Sequence, residues 1–165
     1  MRRILLLTLP AWLLLLLHPS ALSPCSCINR ETAADALVSY DAVFEGDVVA
    51  VQRLVIPSHW ESEPPSQGQI AFVRVIRTWK GALPPVATVY TGSGGGDCGY
   101  QFIPGQHYLV FAYRLPATQR RALHESKLAL YTDICTSSTP LTRADDLVND
   151  LNRIRQPTST PWTPY

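Results

Sequence analysis

Apolar positions along this chain fall in short runs and partial alternations that suit strands better than helices. Tyr40 to Ile56 is rich in valine and aromatic residues, which predicts a long first strand with Phe44, Val48 and Val49 able to enter a core. The polar, proline-bearing stretch Pro57 to Gln69 reads as a loop. In Ile70 to Lys80, the apolar Phe72, Val73, Val75 and Ile76 are interleaved with Arg74 and Arg77, predicting a second strand. Gly81 to Pro85 turns the chain into Val86 to Thr91. Tyr100 to Phe102 follows a glycine-rich stretch, and Pro104-Gly105 signals a turn before the strand His107 to Arg114. Lys127 to Cys135 reads as a further strand. Five strands separated by turn signals predict a mainly β fold, a small barrel or sandwich.

Helical spacing occurs twice. Glu31 to Ser39 carries Ala33, Ala34, Ala36 and Leu37. The second helix is expected near Thr142, which can cap it with Asp145 three residues on. Ala144, Leu147, Val148, Leu151 and Ile154 then form one apolar stripe to lay against the strands. Asp145 and Asp146 suit the positive end of that helix dipole, and Arg153 and Arg155 the negative end. Gln156 to Tyr165 is rich in proline and threonine and lacks periodicity, so a disordered tail is expected over 156–165.

The N-terminal 24 residues follow a different logic. Arg2 and Arg3 precede an apolar run from Ile4 to Leu17, and small or turn-forming residues follow from Pro19 to Pro24. This is the layout of a secretory signal peptide, and the run is too short to span a bilayer comfortably. The expected product is therefore exported, extracellular or periplasmic, with one domain over 25–155. Ala21 and Ser23 are the small residues that could precede a cut, but Pro19 and Pro24 disturb both sites. A lipoprotein-type cut would make Cys25 the first residue and lipidate it, the single route by which the membrane becomes a partner; Pro24 stands where that cut wants a small residue.

The whole chain has 14 Lys and Arg against 13 Asp and Glu, and losing Arg2 and Arg3 with the leader leaves 12 against 13, a formal charge of −1. Such balance gives no electrostatic footprint for nucleic acid. Four cysteines, Cys25, Cys27, Cys98 and Cys135, in an exported domain imply two disulfides. A Cys25–Cys27 bridge would close a tiny strained ring, leaving two pairings that each tether the N-terminus to two distant points. In the chain-entropy picture, loops this long stabilise by roughly 4–5 kcal/mol each, an upper figure because they overlap.

Catalytic and cofactor motifs are absent from the pattern. Thr91 to Gly99 is glycine-rich, yet a phosphate-binding loop needs Lys-Ser or Lys-Thr where Asp97-Cys98 stands, and a dinucleotide fingerprint needs glycine at Asp97. The segment reads as a flexible loop brought beside the N-terminus by a disulfide at Cys98. His59, His107 and His124 form no i, i+4 metal pair, and the cysteines are committed to bridges. Asp41, Glu45 and Asp47 read as acidic residues facing solvent on a strand. No enzyme activity, cofactor or resident metal is expected.

The order Cys25-Ser26-Cys27, a long first strand, Cys98-Gly99 and then Cys135 resembles the N-terminal domain of tissue inhibitors of metalloproteinases. More broadly it resembles the netrin-like module, including its small bacterial members. Asp41 to Gly46 (DAVFEG), Trp79-Lys80-Gly81, Cys98-Gly99-Tyr100 and Gly105 to Val110 (GQHYLV) carry the likeness, which runs from Cys25 to about Arg155. The resemblance implies a five-stranded OB-type barrel with flanking helices and the pairings Cys25–Cys98 and Cys27–Cys135. The third disulfide and the separate C-terminal domain of the animal inhibitors have no counterpart.

The resemblance also implies a partner and a mechanism. In those inhibitors the first cysteine's free α-amine and carbonyl oxygen chelate the catalytic zinc of a metalloproteinase, and the next side chain enters its specificity pocket. By position, Cys25 would chelate, Ser26 would fill the pocket, and Cys27, Gly96, Asp97 and Cys98 would complete the contact edge. The zinc would be the partner's. One retained residue, Pro24, would turn the amine into an amide and remove the chelator. The rival reading from another class is a non-inhibitory protein-binding module on the same barrel.

Overall fold

The computed structural model describes residues 25, 27, 31–56, 66–94, 97–123 and 125–159. The expected signal peptide, Ser26, Gly96, most of the Pro57–Gln69 loop and the last six residues lie outside them.

Two long strands, β1 (Ala42–Ile56) and β2 (Ser66–Lys80), pair antiparallel along nearly their whole lengths. The strand β3 (Val86–Gly92) continues the sheet antiparallel to β2, from Arg74↔Val86 to Gly68↔Gly92. β4 (His107–Arg114) pairs with the first part of β1, from Ala42↔Ala112 to Asp47↔His107. A two-residue β5 (Leu130–Tyr131) lies parallel to β3 and antiparallel to β4. The hydrogen-bonded order β1-β2-β3-β5-β4 thus returns to β1, and the sheet closes in a ring. β6 (Thr139–Pro140) adds to β4, and β7 (Thr158–Ser159) adds to β2.

Inside the ring, inward residues of each strand form one core. Ala42, Phe44 and Val48 of β1 meet Ala71, Val73 and Val75 of β2, Ala87 and Val89 of β3, and Tyr108, Val110 and Ala112 of β4. Phe102 packs edge-on to Tyr108, their ring centroids 5.1 Å apart. Alternate residues of the same strands face a second core. There Val43, Trp79, Leu109 and Phe111 are covered by α1 (Ala33–Ser39) and α3 (Asp145–Ile154). The period-2 alternation of β4 therefore feeds two cores, and five of its eight residues are buried. A third, smaller cluster gathers Tyr90, Leu115 and Ala129 near α2 (Ala117–Ala122).

Several expectations are corrected by this packing. Val49 is 48% exposed, because the β1–β2 register shifts between Val48 and Ala50 and leaves Val49 in a bulge. The strand expected over Lys127 to Cys135 shrinks to β5; the chain then turns, with Asp133 Oδ1 accepting from the amides of Cys135 and Thr136 at 2.8 and 3.0 Å. Thr142 does not cap the last helix. The chain enters through a 3-10 turn, Leu141–Arg143, and the N-cap position is Ala144, buried in the second core. Apolar packing, not a side-chain cap, starts this helix. Ile154 leaves the stripe and is 53% exposed. Thr158 and Ser159, expected in a disordered tail, pair with Thr78 and Arg77.

A capping box does form at α1: the Thr32 hydroxyl accepts from the Asp35 amide, and the Asp35 carboxylate accepts from the Thr32 amide, both at 3.2 Å. The strand carboxylates are likewise not idle at the surface. Glu45 is buried and accepts from Arg77 Nε at 2.5 Å, Asp47 accepts from Arg74 and contacts the His107 ring, and Asp41 accepts from the Arg114 amide at 2.7 Å. Trp79 Nε1 donates to Asn152 Oδ1 at 3.0 Å, and Arg155 donates to the Trp79 carbonyl at 3.1 Å, pinning α3 to β2.

The bulge makes neighbouring residues unequal. Phe44→Ala should cost about 3–5 kcal/mol by opening the ring core, whereas Val49→Ala should stay within about 0.5 kcal/mol. Urea unfolding of the oxidised protein checks both, and a comparable loss at Val49 would contradict its place in the bulge.

Candidate functional site

The two cysteines of Cys25-Ser26-Cys27 anchor to different parts of the ring. Cys25 is bonded to Cys98, with Cα atoms 5.7 Å apart, and Cys27 to Cys135, with Cα atoms 5.1 Å apart. These are the pairings the resemblance implied, and no free cysteine remains among the described residues. Such bonds fit an oxidising, non-cytoplasmic compartment. No helix among the described residues is long and apolar enough to cross a membrane.

Both anchors are set in ordered backbone. Cys98 follows β3 and takes a left-handed conformation, φ 58°, unusual for a residue with a side chain. Its strain is held by Asp97. That carboxylate accepts from the Ser93 amide at 2.6 Å, the Ser93 hydroxyl at 2.9 Å, and the Gly94 and Gly99 amides at 2.9 and 3.1 Å. The Tyr100 amide donates to Thr91 Oγ1 at 2.6 Å, closing the loop's far side. Glycine is needed at Gly92 because a Cβ there would sit 2.7 Å from the Asp97 carboxylate. The Cys98 carbonyl accepts from the Ile134 amide at 3.0 Å, which joins the two disulfide regions directly.

The second anchor rests on buried hydroxyls. Thr132 and Ser138 donate to the Phe111 carbonyl at 2.9 and 3.0 Å, and Ser138 accepts from the Phe111 amide at 2.9 Å. Thr136 lies 2.7 Å from Thr132 Oγ1. These bonds fasten the Cys135 turn to the middle of β4.

The structure brings Cys25, Cys27, Asp97 and Cys98 together, while Ser26 and Gly96 lie outside the described residues. Cys25 and Cys98 are half-buried and Cys27 is exposed. Asp97 is exposed, but its oxygens face its own loop, so its role is to shape the edge more than to offer a charge. Partial burial of the Asp97 carboxyl raises its pKa, but the hydrogen bonds from Ser93, Gly99 and Gly94 outweigh that effect, and the net shift is downward. The glycine-rich stretch was legible only as a loop; the signal that it is held was Asp97 itself, an acceptor four residues from a serine and flanked by glycines.

Two concavities flank the same loop, and the sequence pattern pointed to neither. One, about 550 Å³, is lined by Arg53, Val55, Gln67, Gln69, Ser93 and Gln101. The other, about 170 Å³, reaches Leu115, Leu123 and Tyr131. Beneath it the Tyr90 hydroxyl donates to Glu125 at 2.5 Å; burial and this carboxylate both push the Tyr90 pKa upward. Among the described residues no group of three or more His, Cys, Asp or Glu is placed to hold a metal. Compared with known proteins, the chain matches no family model and no curated protein sequence.

Because the folded pKa of Asp97 lies below the unfolded value of about 3.9, its contribution is full above that value and is lost as pH falls through the folded pKa. Asp97→Asn cannot accept all four bonds and should lose about 1–3 kcal/mol at neutral pH. The gap between wild type and variant should close below about pH 4. Denaturant unfolding across pH 2.5–7 checks this; a gap that stays constant with pH would show that the carboxylate's charge is irrelevant to the loop.

Proposed function

We propose that this chain is a secreted, non-catalytic OB-type module resembling the tissue inhibitors of metalloproteinases, and that it blocks a zinc endopeptidase through its processed N-terminus. The observation that carries the reading is the Cys25–Cys98 disulfide. It ties the residue that would become N-terminal to a loop whose backbone is fixed by four bonds to Asp97. A chelating group gains affinity when it is held in place before binding, since less freedom is lost.

The chemistry follows from the amine. An unmodified α-amine titrates near about 7.7–8.0 and gives up its proton when it binds a metal. With the Cys25 carbonyl oxygen it would occupy the partner zinc's open position and displace the water that such enzymes activate. Ser26, between the two anchored cysteines, would project into the protease's specificity pocket. The closed ring of five strands with flanking helices supports the OB-type, netrin-like reading. The N-terminal leader and the disulfides support export.

A second reading, a non-inhibitory extracellular or envelope binding module, draws on one observation: the 550 Å³ concavity contains neither Cys25 nor Cys98.

The decisive comparison is between protein beginning at Cys25 and protein retaining Pro24, each assayed against a panel of zinc endopeptidases with a fluorogenic peptide. The Cys25 form should inhibit, and the Pro24 form should be weaker by about a hundred-fold or more. Equal inhibition by both would rule out chelation by the amine. Inhibition by neither would leave the binding module. Within the inhibitory form, Ser26→Gly should weaken inhibition about ten-fold while thermal unfolding stays nearly unchanged; unchanged inhibition removes Ser26 from the pocket.

A further inference from the structure

Among the described residues, one edge of β1 has no partner beyond the point where β4 leaves it. The last tie on that side is at Val48, whose amide donates to the Gln106 carbonyl at 3.0 Å and whose carbonyl accepts from the Gly105 amide at 2.7 Å. Val48 thus turns its side chain to the ring core and its main-chain groups away from β2. In a strand of fixed direction these two properties go together: side chains on one face share the edge that their N–H and C=O groups address. After the bulge, Val51 packs against the same core, and the period of two puts Arg53 and Val55 on its face. The main-chain groups of Val51, Arg53 and Val55 therefore also point away from β2.

This edge carries little protection. Natural edge strands discourage pairing with lysines, prolines or a covering segment. From Ala50 to Ile56 the sequence is AVQRLVI, with Arg53 as its one charge and no proline. Val49 and Val55 are 48% and 64% exposed. Arg53, Leu54 and Val55 all border the concavity of about 550 Å³. Alternate side chains of a strand face opposite ways, so three consecutive residues there mean that the main chain itself borders open space. Donors, acceptors and apolar side chains stand in one row with no described strand opposite them.

We propose that a second copy of this chain pairs with this edge, β1 antiparallel to β1, about a two-fold axis at Gln52. The occupant follows from the symmetry of the row. An axis at Gln52 sets Val51 opposite Arg53 of the other copy, and both direct their main-chain groups at the edge, so they exchange N–H and C=O bonds on each side of the axis. The same axis sets the exposed Val49 opposite the exposed Val55 of the other copy. Other registers fit worse. An axis at Arg53 brings two guanidiniums face to face, which is unfavourable. An axis at Leu54 sets Val51 opposite Pro57, which has no N–H to give. A two-fold contact closes on itself, so it makes a dimer and not a fibre. Strand edges alone bury less than about 1,200 Å², the transient class, so a dissociation constant of about 1–100 µM is expected. The dimer goes beyond zinc chelation, because its edge contains none of Cys25, Cys27, Asp97 and Cys98 and needs no free amine.

Sedimentation equilibrium of the full exported chain, with both disulfides intact, tests this from about 1 to 500 µM. A monomer–dimer equilibrium is expected. Val55→Lys, at an exposed position, should weaken it at least about ten-fold. Arg53→Pro removes an N–H that points off the sheet, so it should abolish the dimer while thermal unfolding stays near that of the parent. Gln52→Pro removes an N–H directed at β2 and should lower the unfolding temperature instead. Oxidative cross-linking reads the register, because Cα atoms of a facing pair that shares no hydrogen bonds lie about 4.5 Å apart, within disulfide reach. Gln52→Cys should link two copies through position 52 faster than Arg53→Cys or Leu54→Cys links them, with the native bridges unchanged in a peptide map. A chain that stays monomeric throughout overturns the proposal. So does association indifferent to Val55→Lys, association that continues past the dimer, or faster cross-linking at position 53 or 54.

Discussion

β1 is paired on both sides over Val43 to Asp47, to β2 on one edge and to β4 on the other, and this double pairing turns a row of strands into a closed ring. Closure removes free edges there and gives every inward side chain a facing partner. Gly46 shows how tightly the ring is drawn: a Cβ at that position would lie 2.5 Å from the Arg74 carbonyl and 2.6 Å from a Val73 methyl. Beyond Asp47 the constraint ends. The bulge at Val49 re-aims the strand, and β1 continues beside β2, which β3 still accompanies as far as Gly68, so that the inner face here opens onto the groove near Ser93.

The candidate edge depends on that rigidity through covalent and polar ties. Cys98 sits at the exit of β3 and Cys135 just beyond β5, neighbouring strands of the ring. Their backbones also meet directly, through the Ile134 amide and the Cys98 carbonyl. Asp97 and the Thr132–Thr136–Ser138 hydroxyls are the polar groups that keep both attachment points in one geometry. Buried hydroxyls without partners would be costly, yet these three satisfy one another and the Phe111 backbone. Cys25 and Cys27 are held to these two points of the ring by covalent bonds.

Ion pairs play a different part on the outer face. Glu45 and Asp47 on β1 meet Arg77 and Arg74 on β2, cross-strand partners next to the register shifts. The Arg77 guanidinium lies 5.2 Å from the Trp79 ring centroid, so it bridges the charged part of this face to the apolar part beneath α3. These pairs favour one alignment of the hairpin over its alternatives, because a one-residue slip would move every charge to the wrong face.

Local pattern determined a good deal by itself: valine-rich and aromatic runs marked β1, β2, β3 and β4, and helical spacing marked α1 and α3. Those signals are legible because side-chain periodicity follows directly from backbone geometry. That the four cysteines form two bridges was legible for the same kind of reason, since residue type and number carry it. Tertiary structure decided the rest. The bulge that expels Val49, the start of α3 at Ala144 without a side-chain cap, and the pairing of Thr158–Ser159 with β2 each depend on what lies opposite, which no local window contains. The bonds at Asp97 span only a few residues, yet their geometry exists once β3 and Cys98 are fixed. Arg53, Gln69 and Gln101 are unremarkable residues far apart along the chain; they line one concavity only because β1, β2 and the segment after Cys98 are brought around the same loop.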